Sequence, residues 1–65
     1  MNAMIKMERI IVKERDLDIL IYSVGNNYEA HAANTKTGQL SIARGVEKWS
    51  TITEGIERVL RPMKS

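Results

Sequence analysis

The stretch LDILIYSV, residues 17–24, decides the fold, because it is apolar on both sides of an extended chain. Its β-branched and aromatic side chains favour a strand, and successive side chains of a strand point to opposite faces of a sheet. The two faces carry Leu17, Ile19 and Ile21 on one side and Leu20, Tyr22 and Val24 on the other. The rest of a 65-residue chain must therefore cover apolar side chains on both sides of this strand.

Turn residues separate this segment from three other predicted strands. These strands are placed at residues 8–14, 28–33 and 39–44. Glycine and asparagine tolerate the positive φ of tight turns, so Gly25 to Asn27 predicts a hairpin. Gly38 suits a left-handed position in the following turn.

The alternation in the third and fourth strands predicts which side chains share a face. In the third strand Tyr28, Ala30 and Ala32 lie opposite Glu29, His31 and Ala33. In the fourth strand Leu40 and Ile42 are expected to point inward.

The apolar period changes from two to that of a helix over STITEGIERVLR, residues 50–61. Ile52, Ile56, Val59 and Leu60 form one apolar stripe. Thr51 and Glu54 have capping-box spacing, with Ser50 as an alternative cap. Gly55 indicates that the helix approaches either the sheet or a second subunit closely.

Together these elements predict one small α+β domain over residues 1–65, with residues 1–7 as a loose tail. Its order is β-β-β-β-α, a four-stranded antiparallel meander followed by one C-terminal helix packed on one face. The helix is expected to cover either Leu20, Tyr22 and Val24 or the opposite face with Leu17, Ile19 and Ile21. So short a chain has a thin margin of stability. It has no cysteine for a disulfide, which leaves oligomerisation as the remaining support.

The same reasoning predicts a binding surface and a second copy. A strand that is apolar on both sides in a one-helix protein leaves one face for another chain to cover. A homo-oligomer is expected, with a dimer favoured. The predicted interface residues are Leu17, Ile19, Ile21, Tyr28, Trp49 and Gly55.

The side chains available for catalysis are few. The chain has no cysteine and one histidine, and its four glycines are scattered over separate turns rather than gathered in a phosphate loop. We therefore predict no enzyme activity, no catalytic residue, no metal site and no cofactor. The exception considered is a small ribonuclease in which His31 acts as the general base. A histidine-bearing sheet paired with a helix resembles the toxin half of the HicA/HicB system, although the glycine-serine-histidine approach of that family is replaced here by NNYEA before His31.

Basic residues are concentrated in the second half of the chain. Residues 1–33 carry four basic and five acidic side chains, whereas residues 34–65 carry six basic and three acidic ones. Such an excess can attract phosphate or an acidic protein surface, although a solvated surface gives the same pattern. The predicted nucleic-acid or acidic-surface contacts are Lys36, Arg44, Lys48, Arg58 and Arg61.

Two families resemble parts of this sequence. YEAHA followed by STITEGIERVL, between Tyr28 and Leu60, resembles the N-domain of HicB-type antitoxins. The Asp-Leu-Pro-Gly loop of that family is NTKTG here, which keeps only the glycine, and its C-terminal DNA-binding domain has no counterpart. This resemblance implies docking on, and inhibition of, a protein partner.

The second resemblance is to the positive-cofactor family of single-stranded DNA binders. TGQLSI is similar to the signature of that family, and Trp49 follows it near the helix, although ARGVE intervenes. The resemblance implies that Lys36, Arg44 and Lys48 line a groove for a nucleic-acid backbone.

The predicted function is a non-enzymatic regulatory module in the cytoplasm that self-associates and binds, and inhibits, a protein partner. It would be antitoxin-like, or like the small inhibitors that phages encode against host defence enzymes. Single-stranded DNA or RNA binding is the alternative. No membrane partner is predicted, because no apolar run approaches the ~20 residues of a membrane span.

Overall fold

Four antiparallel strands and one helix account for most of residues 6–61, the part of the chain that the computed structural model describes. The elements are β1 (Lys6–Val12), β2 (Leu17–Val24), β3 (Asn27–Asn34), β4 (Leu40–Gly45) and α1 (Lys48–Leu60). The strands form one sheet in the order β1-β2-β3-β4. The predicted α+β meander with a C-terminal helix on one face is therefore confirmed.

The turns use backbone conformations that their residues tolerate. Gly25 has a φ of 60° in the two-residue connection between β2 and β3, as the hairpin prediction requires. Gly38 has a φ of 80° in the next turn, where its amide donates to the carbonyl of Asn34. Between β1 and β2 a short 3₁₀ turn, Lys13–Arg15, ends at Asp16 with a φ of 57°. These turns fix the register of all three strand pairs.

The N-terminal tail is shorter than predicted. Lys6 and Met7 belong to β1 and pair with Ser23 and Tyr22 of β2. The remainder of the predicted tail, residues 1–5, lies outside the described residues.

Helix α1 begins two residues earlier than predicted, and its N-terminal cap is Glu47 rather than Ser50 or Thr51. The Glu47 carboxylate accepts hydrogen bonds from the amides of Ser50 (2.7 Å) and Trp49 (3.2 Å). The buried Thr51 hydroxyl donates to the Glu47 carbonyl at 2.7 Å. The capping-box prediction is therefore wrong, because Glu54 forms an ion pair with Arg58 instead.

Small side chains allow α1 to lie close to the sheet. The helix packs mainly against β3 and β4 and reaches β2 only at its margin. Gly55 faces Ala30 and Ala32, and a Cβ placed on Gly55 would lie 3.4 Å from the Cβ of Ala30. Ser41 of β4 donates to the Gly55 carbonyl at 3.0 Å. Gly55 thus serves contact with the sheet, and the prediction that it lines an intermolecular interface is wrong.

The core lies between α1 and one face of the sheet, the helix-covered face. Its buried apolar side chains are Leu17, Ile19, Ile21, Ala30, Ala32, Ile52 and Val59. The predicted helix stripe is confirmed, since Ile56 and Leu60 also pack against this cluster.

Two predictions about the faces of the sheet are wrong. Leu17, Ile19 and Ile21 were expected at an interface, yet they are at most 3% exposed within the core of a single chain. Leu40 and Ile42 were expected to point inward, yet they are 75% and 48% exposed. The reason is steric: the close-lying helix is accommodated over alanine and serine, and the larger side chains of β4 take the opposite face.

No helix within residues 6–61 is long and apolar enough to cross a membrane.

Substitution of Gly55 tests the close helix–sheet contact. We expect Gly55→Leu to lower the free energy of unfolding by about 1–3 kcal/mol, because the larger side chain must separate α1 from Ala30 and Ala32. Gly55→Ala is the matched control and should stay within about 1 kcal/mol of the wild type, because its methyl meets Ala30 near van der Waals distance while alanine favours the helix. Urea denaturation measures both values. Equal stabilities of the two variants would contradict this packing.

Candidate functional site: the uncovered face of the sheet

The face of the sheet opposite α1 has no covering element within residues 6–61, and we call it the open face. The pairing registers arrange its side chains in three rows across the strands. The rows are Met7, Tyr22, Glu29 and Arg44; Arg9, Leu20, His31 and Ile42; and Ile11, Asp18, Ala33 and Leu40. Each row takes one residue from each strand in the order β1 to β4.

Apolar side chains are concentrated on the open face. Of the seven large apolar side chains that are exposed among the described residues, five belong to this face or to its β2 end. These five are Met7, Ile11, Val24, Leu40 and Ile42. Leu20 and Tyr22 at its centre are half-buried. A patch of this kind on a small protein indicates an interaction surface.

One ion pair joins β1 and β2 on the open face. Arg9 donates from Nε to Oδ1 of Asp18 (3.0 Å) and from Nη2 to Oδ2 (2.6 Å), a two-bond contact that fixes both side chains. The hydrogen bonds from Arg9 hold the pKa of Asp18 below its ordinary value, and the same contact raises the pKa of Arg9. The pair keeps both charges at one edge of the face.

A second charged cluster joins β3 and β4. Nε2 of His31 donates to Oε1 of Glu29, and Nε of Arg44 donates to Oε2, both at 2.8 Å. The bond from His31, followed by the bond from Arg44, lowers the pKa of Glu29. The ring of Tyr22 lies 4.9 Å from that of His31, centroid to centroid. His31 is thus held between a carboxylate and an aromatic ring.

The charges of the open face consequently compensate one another. Its two guanidinium groups, on Arg9 and Arg44, are each bonded to a carboxylate on the adjacent strand. With His31 neutral, the three rows carry no net charge. The face therefore presents apolar side chains and internally paired charges, rather than a field that selects a strongly charged partner.

The five basic side chains predicted to contact nucleic acid do not gather on one surface. Arg44 lies on the open face, and Lys48 pairs with Glu8 at 2.5 Å. Arg58 donates to the carboxylate of Glu54 and to the backbone carbonyl of Ile42 on the edge strand β4. Lys36 lies in the β3–β4 turn, and Arg61 directly follows α1. Three of these cations already have carboxylate partners, which reduces the charge available to a polyanion.

The two remaining predicted interface residues lie apart from the open face. Trp49 is 62% exposed in the first turn of α1, with Nζ of Lys48 5.3 Å from its ring centroid. Tyr28 points to the helix-covered face and packs partly against the core. A contact of either side chain with another molecule stays a prediction.

The open face offers shallow grooves rather than an enclosed ligand site. One groove of about 210 Å³ runs past Leu20, His31, Leu40 and Ile42. Another of about 420 Å³ lies beside Glu29 and Arg44, and both are open to solvent along their length. No group of three or more histidine, aspartate or glutamate side chains suited to a metal ion occurs within residues 6–61. The shape suits a broad contact with another macromolecule.

The predicted interface did not include the main apolar residues of the open face. The exposed apolar residues are Ile11, Leu40 and Ile42, with the half-buried Leu20 between them, whereas Leu17, Ile19 and Ile21 lie in the core. One signal for the correct choice was present in the sequence. Alanines at 30, 32 and 43 alternate with larger or polar residues, and small side chains mark the face over which a glycine-bearing helix lies.

Comparisons with known proteins return no match: no family model fits the chain, and neither curated proteins nor solved structures are detectably similar to it. The two family resemblances stay predictions.

Acid titration tests the ion pairs of the open face. The pKa values of Asp18 and Glu29 are lower in the folded chain than their ordinary values. The stability that these carboxylates contribute is therefore present at neutral pH and lost as the pH falls below about 4. We expect the double variant Asp18→Asn/Glu29→Gln to show a shallower loss of thermal stability over this range than the wild type.

Glu57→Gln, on the exposed side of α1, serves as the control and should keep the wild-type pH profile. Melting temperatures between pH 2 and pH 7 provide the measurement. A double variant with an unchanged profile would show that these ion pairs do not stabilise the fold.

Proposed function

We propose that this chain is a non-enzymatic, regulatory protein-binding module whose working surface is the open face. By docking there it would block a partner, in the manner of an antitoxin or a phage-type inhibitor. The observation that carries the proposal is the combination of exposed apolar side chains with internally paired charges on one broad face. The cysteine-free sequence is compatible with the cytoplasm, the compartment we propose.

The chemistry of the open face favours protein as the partner. Protein interfaces combine a desolvated apolar centre with a polar rim, and charged groups buried there must be paired. Leu20 and Ile42 lie in the middle row, and Arg9 and Arg44 are each bonded to a carboxylate of the adjacent strand. Burial of this surface would therefore leave few charges without a partner.

The ribonuclease alternative depends on His31 alone. Its Nε2 donates to Glu29, which also accepts from Arg44, so Nδ1 is the ring nitrogen that would act as the general base. If the ribonuclease alternative held, His31→Ala would abolish the cleavage of an RNA substrate.

Nucleic-acid binding is the second candidate, and the exposure of Arg44 favours it. The Arg44 side chain is 77% exposed on the open face despite its bond to Glu29. Base stacking in single-strand binders generally uses several aromatic side chains on one platform. Tyr22 is the only aromatic side chain in the three rows of the open face.

Capture experiments with two matched variants test the proposed working surface. Leu40→Asp and Ile42→Asp each place a carboxylate in the apolar part of the open face, and Thr53→Asp places the same charge on the exposed side of α1. We expect the immobilised wild type and Thr53→Asp to retain the same cellular protein, and both open-face variants to lose at least nine-tenths of it. Quantitative mass spectrometry of the eluates measures the loss. Equal capture by all four proteins would contradict the proposal.

A fluorescence titration separates the nucleic-acid candidate. Phosphate-driven binding of labelled single-stranded and duplex oligonucleotides weakens steeply with rising salt. We expect no binding at about 50 mM salt, a low ionic strength that favours phosphate contacts. Salt-dependent binding that Arg44→Ala weakens would favour the second candidate.

A further inference from the structure

We infer that, in the absence of a partner, the open face is covered by the open face of a second copy of the chain, with β1 of each copy lying over β4 of the other. This inference rests on the proposed function, because it concerns the same surface. A protein partner would then compete with the second copy.

Charge compensation makes the open face compatible with itself. Two copies of a face with a net charge repel each other, whereas this face pairs Arg9 with Asp18 and Arg44 with Glu29 within one chain. A two-fold symmetric contact uses the same patch on both subunits. A face that is apolar and internally neutral meets that requirement without an opposite charge on the other side.

The area of the face is sufficient for a small dimer. Four strands spaced about 4.8 Å apart and about six residues long cover roughly 400 Å² in projection. Protruding side chains make the accessible area larger than this projected area. The area buried on each copy therefore approaches the lower end of the roughly 600–1,000 Å² that each partner buries in standard interfaces. A chain with one small core has much to gain from covering these side chains.

Charge also selects the orientation of the two copies. In the aligned class of sheet packing the strands of the two copies are nearly parallel, so the two-fold axis runs either along or across the strands. An axis along the strands keeps each row over the same row and places β1 over β4. Ile11 then lies over Leu40, Arg9 over Ile42, and Leu20 over His31 of the second copy.

An axis across the strands gives a less favourable contact. With the axis on the middle row, each residue of that row lies over its own copy. Arg9 then meets Arg9, so two guanidinium groups approach within the interface. The first orientation places no charged side chain directly over one of like charge and brings the exposed Ile11 and Leu40 together at both edges.

Sedimentation equilibrium tests the self-association. We expect a dimer of the wild type and Thr53→Asp at 10–100 µM, a range of ordinary weak-dimer affinities. Leu40→Asp should raise the dissociation constant more than tenfold, because a carboxylate would be buried against Ile11. Circular dichroism verifies that the variant keeps its fold. A monomeric wild type at 100 µM would overturn the inference.

Cross-linking tests the orientation, because the chain has no cysteine of its own. Ile11→Cys and ¹⁵N-labelled Leu40→Cys are mixed and treated with a short bismaleimide. We expect mixed pairs to exceed both like pairs at least tenfold by intact mass, since the two thiols face each other only between different variants. Predominantly like pairs, or efficient self-linking of Ile42→Cys, would overturn the orientation.

The two proposals fail in different ways. If the wild type is monomeric and the Leu40→Asp variant no longer captures the partner, the dimer is refuted and the working surface is supported. A dimer that survives Leu40→Asp and Ile42→Asp refutes the inferred interface. An oligonucleotide that binds the monomer through Arg44 refutes both, because nucleic acid would then be the occupant of the face.

Discussion

A four-stranded sheet has two faces, and within residues 6–61 one 13-residue helix is available to cover them. Everything else in the structure depends on this constraint. The helix lies over β3 and β4, where Ala30, Ala32 and Ala43 leave room for Gly55 to approach. The larger side chains of β2 and β1 then fill the space beside the helix, which gives a single apolar core.

The same constraint explains the character of the open face. Because larger side chains of β4 are directed away from the helix, Leu40 and Ile42 are exposed. The charges on that face are bonded across strands at Arg9–Asp18 and at Arg44–Glu29, and His31 bonds Glu29 within β3. Because these charges are already paired, burial of the surface costs less than burial of unpaired charges would. We therefore propose that the open face, which the fold leaves exposed, is a binding surface.

Much of the fold could be predicted from the sequence because it depends on local chemistry. Residues 17–24 are strongly β-forming, Gly25 permits the hairpin, and the spacing of Ile52, Ile56 and Val59 marks the helix. The helix cap was harder to predict, because serine and threonine are commoner caps than the glutamate that caps α1.

The candidate site was only partly predictable. The two faces of β2 are about equally apolar, so periodicity shows that both need cover but not which one the helix takes. That choice depends on the steric fit between Gly55 and the alanines of β3, a long-range contact. The ion pair between Arg9 and Asp18 likewise requires the register of β1 against β2. The fold class, an apolar face left uncovered within residues 6–61 and the position of His31 on the more polar side of β3 did follow from the sequence.

Solvent accessibility of individual methyl groups shows directly whether a second copy covers the open face. A soluble paramagnetic probe broadens the NMR signals of exposed methyls. We expect the methyls of Ile11, Leu40 and Ile42 to become protected as the protein concentration rises, while the methyl of Thr53 on α1 stays accessible. Accessibility of the three open-face methyls that does not change with concentration would contradict it.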